Sequence, residues 1–170
     1  MRLARNSNGT SQFRGLRPSS EYLQMIDQPQ PETENPQDGA ELARGWLQNS
    51  QFVSHLGITV DALEPDRAVL SMPFTDSLPT LGDVVHGGAI SSLIDTAAAA
   101  AAWSGATVPE RPRASTVGIT VDFLAPARGQ GVTAEARVVR RGGSGLCFCE
   151  VSARAEDGTD VAIALVTYQL

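Results

Sequence analysis

Lysine is absent from this sequence, and all thirteen of its positively charged side chains are arginine. This is a bias of composition that excludes no function. The nineteen acidic residues outnumber the arginines and set the formal net charge at -6. A protein whose main partner is a nucleic acid is expected to carry a basic face. The charge balance therefore predicts no nucleic-acid partner.

Cysteine is scarce as well: the two residues are Cys147 and Cys149, in the run LCFCE. On a strand, residues at this spacing point to the same face about 6.6 Å apart, which is too far for relaxed disulfide geometry. No set of ligands at the spacing of a metal site appears in the sequence. We therefore expect two buried thiols in a reducing compartment and no bound metal.

No segment predicts secretion or membrane insertion. The first twenty residues contain arginines but lack the apolar core of a secretory signal. Residues 84–103, VVHGGAISSLIDTAAAAAAW, are about as long as a membrane span. However, the histidine, glycines, serines and aspartate within them make insertion costly, and no basic residues flank them. We expect a cytoplasmic protein with no membrane partner.

The chain divides into a tail and one domain. Residues 1–37 predict a disordered tail, because the stretch DQPQPETENPQDG combines prolines and acidic residues with almost nothing to bury. Residues 38–170 are enough for one domain. We expect this domain to begin with a helix over 39–53, capped by Asp38. A hairpin follows, formed by the strands GITVDALE and RAVLSMPF around a turn at residues 64–66.

The stretch Gly88–Trp103 predicts a long helix, because six consecutive alanines favour helix and Gly105 is a suitable end. The short, turn-rich connectors after it predict an antiparallel meander. Its four strands are STVGITVDFL, VTAEARVVR, LCFCEVSARA and DVAIALVTYQL. A helix that is apolar nearly all round must be enclosed. We therefore predict an α+β fold in which one antiparallel sheet wraps a long central helix.

Asp95 is the one carboxylate in the apolar run of this helix. It shares a face with small residues, namely Ser91, Ser92, Ala98 and Ala99, so a ligand has room to approach it. A carboxylate in apolar surroundings is a candidate functional group. A core aspartate that accepts hydrogen bonds from the nearby serines would explain the same spacing, and the sequence leaves both interpretations open.

Gly87 and Gly88 stand at the predicted start of the same helix, directly after His86. The first N–H groups of a helix lack partners, and glycine leaves them uncovered. Such groups can stabilise a carbonyl oxygen that gains negative charge, although an ordinary glycine turn is the alternative. Gly87 and Asp95 are roughly 12 Å apart along a helix, which is too far for one carbonyl to touch both. If both are catalytic, each site needs a second copy of the chain, as in a two-fold dimer.

The run HGGAISSLID, followed by the strand ITVDFLAPA and its meander, resembles the hotdog-fold acyl-CoA thioesterases. Within them it is most similar to the PaaI-like family of the phenylacetate pathway, over roughly residues 40–170. The resemblance implies a hotdog fold and hydrolysis of acyl-CoA to a carboxylic acid and CoA, without a metal or other cofactor. It also implies a homodimer with a continuous sheet, in many relatives paired into a tetramer.

The resemblance assigns roles to individual residues. Asp95 matches the catalytic carboxylate, acting across the dimer as general base or nucleophile, and Gly87 matches the residue whose N–H polarises the thioester carbonyl. His86 matches the histidine that orients the site, and Thr116 matches a residue that helps to hold the water. Gly88 is a further candidate substrate contact beside Gly87.

The sequence departs from the family pattern at three places. Thr80 stands where relatives often have asparagine, and Asp83 stands where they often have glycine. Where relatives often carry a basic residue in a strand turn, this chain has Gly143. The resemblance therefore leaves Arg140 or Arg141 to bind the CoA phosphates, with Thr80 as a donor near the carbonyl.

Two other functions are alternatives to hydrolysis. The departures favour, as an alternative, a hotdog dimer that binds acyl-CoA without hydrolysing it. A hydratase would need a histidine a few residues after Asp95, which the sequence lacks.

The other histidine, His55, is expected to be a structural residue beside the first strand.

Overall fold

The computed structural model describes residues 38–170, so the tail expected over residues 1–37 lies outside the described residues. The helices are α1 (Gly39–Asn49), α2 (Gln51–His55) and α3 (Gly87–Ser104). The strands are β1 (Thr59–Glu64), β2 (Arg67–Met72), β3 (Pro79–Leu81), β4 (Val84–Val85), β5 (Ser115–Phe123), β6 (Val132–Arg141), β7 (Leu146–Ala155) and β8 (Asp160–Gln169).

Six strands form one antiparallel sheet in the order β1-β2-β6-β7-β8-β5, while β3 and β4 form a separate two-stranded ribbon. Helix α3 packs against one face of this sheet, as its core residues show. The predicted α+β arrangement, one antiparallel sheet around one long helix, is confirmed.

The order of the strands corrects one expectation. The last four strands are not a simple meander, because β5 pairs with β8 and β6 pairs with β2. The connector 124–131 makes this possible, since eight extended residues reach about 26 Å. Three strand spacings, the distance from β5 to β6 across the sheet, amount to only about 14 Å. Strand β5 therefore lies at an edge, paired on one side only within residues 38–170.

Helix α3 is enclosed because its side chains are small. Each alanine from Ala97 to Ala102 is at most 7% exposed. Short side chains let the sheet approach closely, and alternate residues of β2 face the helix, so that Ala68, Leu70 and Met72 are buried. Although α3 spans eighteen residues, no helix within residues 38–170 is long and apolar enough to cross a membrane.

Both cysteines are buried free thiols in the core, as the sequence predicts. They lie on the face of β7 that packs toward α3, in the alternating pattern of that strand. Burial, the main cause, raises the pKa of the Cys149 thiol to about 12. Burial also raises the pKa of Cys147. Both thiols are therefore protonated and inert at neutral pH.

The helix expected over 39–53 is wrong as a single element, because it breaks at Ser50. This residue is extended (φ -74°, ψ 115°), and its Oγ accepts a hydrogen bond of 3.3 Å from the Val53 N–H. Serine favours such caps because its side chain competes for backbone partners. The predicted cap at Asp38 is present, with its Oδ1 2.9 Å from the Ala40 N–H.

Arg141 fastens the C-terminal end of α3 to the sheet. Its guanidinium donates to the Ala102 carbonyl at 2.8 Å and pairs with the Asp66 carboxylate in the β1–β2 turn. It also contacts the Cys147 sulfur at 3.2 Å. The structure therefore places Arg141 in an internal network, near the end of α3 that is remote from Gly87.

Arg141→Met should lower the free energy of unfolding by about 1–3 kcal/mol, since it leaves the Asp66 carboxylate and the Ala102 carbonyl without their shared donor. Urea denaturation measures the loss. Arg154→Met is the matched control, because Arg154 and its partner Asp160 are both exposed, and such pairs contribute about 1 kcal/mol or less. Equal losses in the two variants would contradict the anchoring role.

Candidate active site

The start of α3 leaves one backbone donor without a partner. The His86 Nδ1 accepts a hydrogen bond of 2.8 Å from the Gly88 N–H. The His86 carbonyl accepts from the N–H groups of Ala89 and Ile90, at 2.9 and 3.2 Å. Within residues 38–170, the Gly87 N–H donates to no acceptor. Gly87 and Gly88, equivalent in the sequence, are therefore different in the structure.

The bond to Gly88 defines the state of His86. Its Nδ1 must carry a lone pair to accept, so the neutral ring carries its proton on Nε2. The imidazole is exposed, and its backbone is extended in the way that an N-cap requires. His86 therefore acts as the cap of α3, and the Gly88 amide is committed to it.

A Cβ added at either glycine would meet a different aromatic neighbour. A Cβ at Gly88 would lie 2.9 Å from the His86 Nδ1, and a Cβ at Gly87 would lie 3.1 Å from the Phe123 Cζ. Phe123 ends β5, and it is 53% exposed. The ring of Phe123 therefore lies beside the unpartnered amide. Sequence reasoning gives Phe123 no role; an aromatic residue at the end of an edge strand is the signal that could have found it.

Asp95 lies two turns further along α3, and its carboxylate is half-buried. Thr116 Oγ1 donates to the Asp95 Oδ1 at 2.6 Å. Neither nearby serine bonds to this carboxylate, since the Ser92 hydroxyl donates to the Gly88 carbonyl at 2.8 Å instead. The alternative of a core aspartate held by serines is therefore not what the structure shows. Within residues 38–170, the second oxygen, Oδ2, has no hydrogen-bond partner.

Asp95 opens into a cleft of about 470 Å³. One wall comes from α1 and α2, which contribute Leu42, Trp46 and Phe52. The opposite wall is the segment 112–116, which leads into β5. Sequence reasoning missed the α1–α2 wall, because Leu42 and Trp46 at helical spacing are equally typical of an ordinary core face.

Aromatic side chains surround the carboxylate at the cleft. Trp103 and Tyr168 line it together with Trp46. Burial, the main cause, raises the pKa of the Tyr168 hydroxyl, and the Asp95 charge adds to this while the neighbouring Trp103 side chain opposes it. Tyr168 is therefore neutral at neutral pH, a polar but uncharged neighbour of the carboxylate.

The Gly87 amide and the Asp95 carboxylate lie against opposite ends of β5. Gly87 is beside Phe123, the last residue of the strand, whereas Asp95 is bonded to Thr116, its second residue. Within one chain the two groups therefore do not converge, in agreement with their separation of roughly 12 Å along the helix.

The remaining predicted contacts are spread over the domain. Thr80 is exposed in β3, and Asp83 pairs with the Arg128 guanidinium at 3.2 Å. Arg140 is exposed and lies opposite Phe148, on the sheet face away from α3. His55 ends α2, four residues before β1 begins, and it is exposed.

His86→Ala should lower the free energy of unfolding by about 0.5–2 kcal/mol, because it removes the acceptor for the Gly88 N–H. His86→Asn should restore most of this loss, since asparagine is a good N-cap. Thermal and urea unfolding of the two variants provide the measurement. His55→Ala, at an exposed helix end, is the control and should change little. If alanine and asparagine are equally destabilising at 86, the side-chain cap is wrong.

The chain is similar to known proteins in both sequence and structure. The sequence profile of the thioesterase superfamily matches residues 82–162. A proposed esterase of Halobacterium salinarum is 31% identical over 142 residues, which cover 78% of this chain and 93% of that protein.

Two solved structures share the fold. A thioesterase family protein from Silicibacter pomeroyi is 30% identical, with a TM-score of 0.69 over 76% of this chain and 96% of that one. The E. coli PaaI protein from the phenylacetic acid degradation operon is 26% identical, with a TM-score of 0.67 over 77% of this chain and 92% of that one. The likeness confirms the hotdog fold and the PaaI-like resemblance of the sequence.

Proposed function

The chain belongs to the thioesterase superfamily, and from this premise we propose that it hydrolyses acyl-CoA thioesters to a carboxylic acid and free CoA. Membership makes it a hydrolase of acyl thioesters; the CoA substrate and the residue roles are our proposal. One observation carries it. A single helix presents an unpartnered N–H at its start and, eight residues on, a carboxylate with one unpartnered oxygen.

A dimer through β5 would bring the two groups together. β5 is an edge strand, and its Val117 and Ile119 are 61% and 42% exposed. An unpaired edge is a template for a further strand. Consider β5 paired antiparallel with β5 of a second copy, with the two-fold axis at the middle of the strand. The Thr116 end of one strand then lies opposite the Phe123 end of the other. Asp95 then faces the Gly87 end of its partner, and two equivalent sites result.

The chemistry follows from the polarity of the two groups. The Gly87 N–H, at the positive end of the helix dipole, donates to the thioester carbonyl and stabilises the oxyanion that forms there. Asp95 of the other copy takes a proton from water as the water oxygen attacks the carbonyl carbon. The carbon–sulfur bond then breaks, and the CoA sulfur leaves with the proton. Direct attack by Asp95, through a mixed anhydride, would use the same geometry.

Thr116 and the cleft support this assignment. The Thr116 hydroxyl is already bonded to Oδ1, so it orients the carboxylate and leaves Oδ2 for the water. The cleft beside it is lined by apolar and aromatic side chains, including Leu42, Trp46 and Phe52. Such a lining suits an acyl group that must leave water.

Asp95→Asn should reduce kcat by about 10²–10⁴-fold, the usual contribution of general base catalysis. The amide oxygen still accepts from Thr116, so the fold should be retained. Release of CoA, followed with a chromogenic thiol reagent, is the measurement, and the protein's own buried thiols should contribute little. Asp76→Asn, in an exposed loop, is the control.

Wild-type kcat in Asp95→Asn would show that the catalytic assignment is wrong. A protein that binds acyl-CoA, yet hydrolyses none across a panel of short, long and aromatic acyl groups, would instead establish the non-catalytic binding dimer.

Mixed dimers test whether the site is shared. Gly87→Leu should remove most activity, because its side chain displaces Phe123 and covers the amide. In a heterodimer of Asp95→Asn and Gly87→Leu, one of the two shared sites keeps both groups. Equal amounts of the two inactive variants, unfolded and refolded together, should therefore recover about a quarter of wild-type activity. If mixing recovers nothing although heterodimers form, the two groups do not act across the dimer.

A further inference from the structure

The nine arginines in the described residues fall into two groups. Five form ion pairs with carboxylates. These are Arg67, Arg128, Arg137, Arg141 and Arg154. The other four have no ion pair with residues 38–170, and they are Arg44, Arg111, Arg113 and Arg140. Among residues 38–170 of this acidic chain, these four cations are the ones without a carboxylate partner.

Only two of the four lie beside the cleft wall on the β5 side. Arg111 and Arg113 flank Pro112 in the segment between α3 and β5, and both are exposed. Pro112 and Ala114 line the Asp95 cleft, so the two arginines directly adjoin residues of the cleft wall in the chain. By contrast, Arg140 lies on the far face of the sheet.

Arg44 is a weaker candidate because of its position on α1. Leu42 and Trp46, which line the cleft, are one helical turn apart on one face. Arg44 lies midway between them in sequence, about 200° from either around the helix axis, and it is exposed. It therefore points away from the cleft.

The length of the connecting chain sets an upper limit on the distance between the two arginines and Thr116. Arg113 is three residues and Arg111 five residues before Thr116, which holds the Asp95 carboxylate. Extended chain covers at most about 3.3–3.6 Å per residue, so the two arginines start within about 11 and 18 Å of Thr116. The pantetheine arm of an acyl-CoA separates its thioester from its phosphates by a distance of the same order.

Charge and backbone stiffness both favour a phosphate ligand beside these two arginines. The chain has a net charge of -6 and would repel an anionic substrate without a local basic patch. The planar guanidinium matches phosphate oxygens with paired donors. The one carboxylate within this segment, Glu110, forms no ion pair with either arginine. Pro109 and Pro112 restrict the backbone that carries the two side chains.

We propose that Arg111 and Arg113 form a phosphate-binding rim of the Asp95 cleft and hold the diphosphate and 3′-phosphate of CoA. This rests on the proposed function, whose acyl-CoA substrate it specifies further. It moves the phosphate contact away from Arg141, whose donors are bound inside the domain, and from Arg140, which faces away from the cleft. The rim makes the enzyme selective for CoA thioesters over thioesters that lack phosphates.

The double variant Arg111→Gln/Arg113→Gln tests the rim. For an acyl-CoA its KM should rise about tenfold or more, because two charge-assisted contacts are lost, while kcat stays within about twofold. For the N-acetylcysteamine thioester of the same acyl group, which has no phosphate, kcat/KM should not change. Arg140→Gln is the matched control: an exposed, unpaired arginine outside the site, whose replacement should leave both substrates unaffected.

A binding measurement makes the result independent of turnover. Calorimetry should detect binding of adenosine 3′,5′-bisphosphate to the wild-type protein, and this binding should weaken as the salt concentration is raised. The double variant should bind the same ligand about tenfold more weakly or not at all. Arg113→Lys, which keeps the charge but not the paired donors, should fall between the two.

The outcomes separate the two proposals. The rim is wrong if the double variant binds adenosine 3′,5′-bisphosphate as tightly as the wild type does. It is also wrong if Arg140→Gln weakens that binding as much as the double variant does. A third contrary result is a loss of activity on the N-acetylcysteamine thioester that matches the loss on acyl-CoA. If the wild type hydrolyses neither thioester, the proposed function fails, and binding of the bisphosphate still decides whether the rim exists.

Discussion

The enclosure of α3 by the sheet is the constraint on which the rest of the structure depends. Six alanines in a row bring the sheet close, and close packing holds the helix in one position. The Gly87 amide and the Asp95 carboxylate then have a fixed separation, because both are carried by one rigid element. In the proposed mechanism, this distance is the reason that a second copy is needed. Arg141 secures the far end of the same helix by bonding to its Ala102 carbonyl.

Much of this arrangement could be predicted from local sequence patterns. The alanine run and Gly105 predict α3 to within one residue at either end. Short runs rich in β-branched and apolar residues predict the six strands of the main sheet but not the β3–β4 ribbon. The spacing of Gly87 and Asp95 predicts that they do not converge within one chain. These inferences succeed because helix and strand periods are local properties of the backbone.

The features that could not be predicted arise from competition or from distant contacts. Ser50 sits in a helical pattern, but its hydroxyl satisfies the Val53 N–H and ends the first helix there. β5 pairs with β8 instead of its neighbour in sequence, because β2 takes the edge of β6. Arg141 looks like an exposed turn residue in sequence, whereas Asp66, seventy-five positions away, draws it inward. Phe123 acquires its place beside Gly87 only through the fold.

The start of α3 shows how one helix cap can serve both stability and chemistry. A cap that satisfied every N–H group of the first helical turn would leave no donor for a substrate. Without any cap, the first turn would fray. His86 meets both needs, because its ring accepts from the Gly88 N–H and its carbonyl accepts from the next two N–H groups. The single donor that remains belongs to Gly87, where a Cβ would lie only 3.1 Å from the Phe123 ring. Because this residue is glycine, no side chain of its own covers the amide. In the proposed mechanism, the oxyanion donor is thus a consequence of how the helix begins, and a second copy supplies the carboxylate.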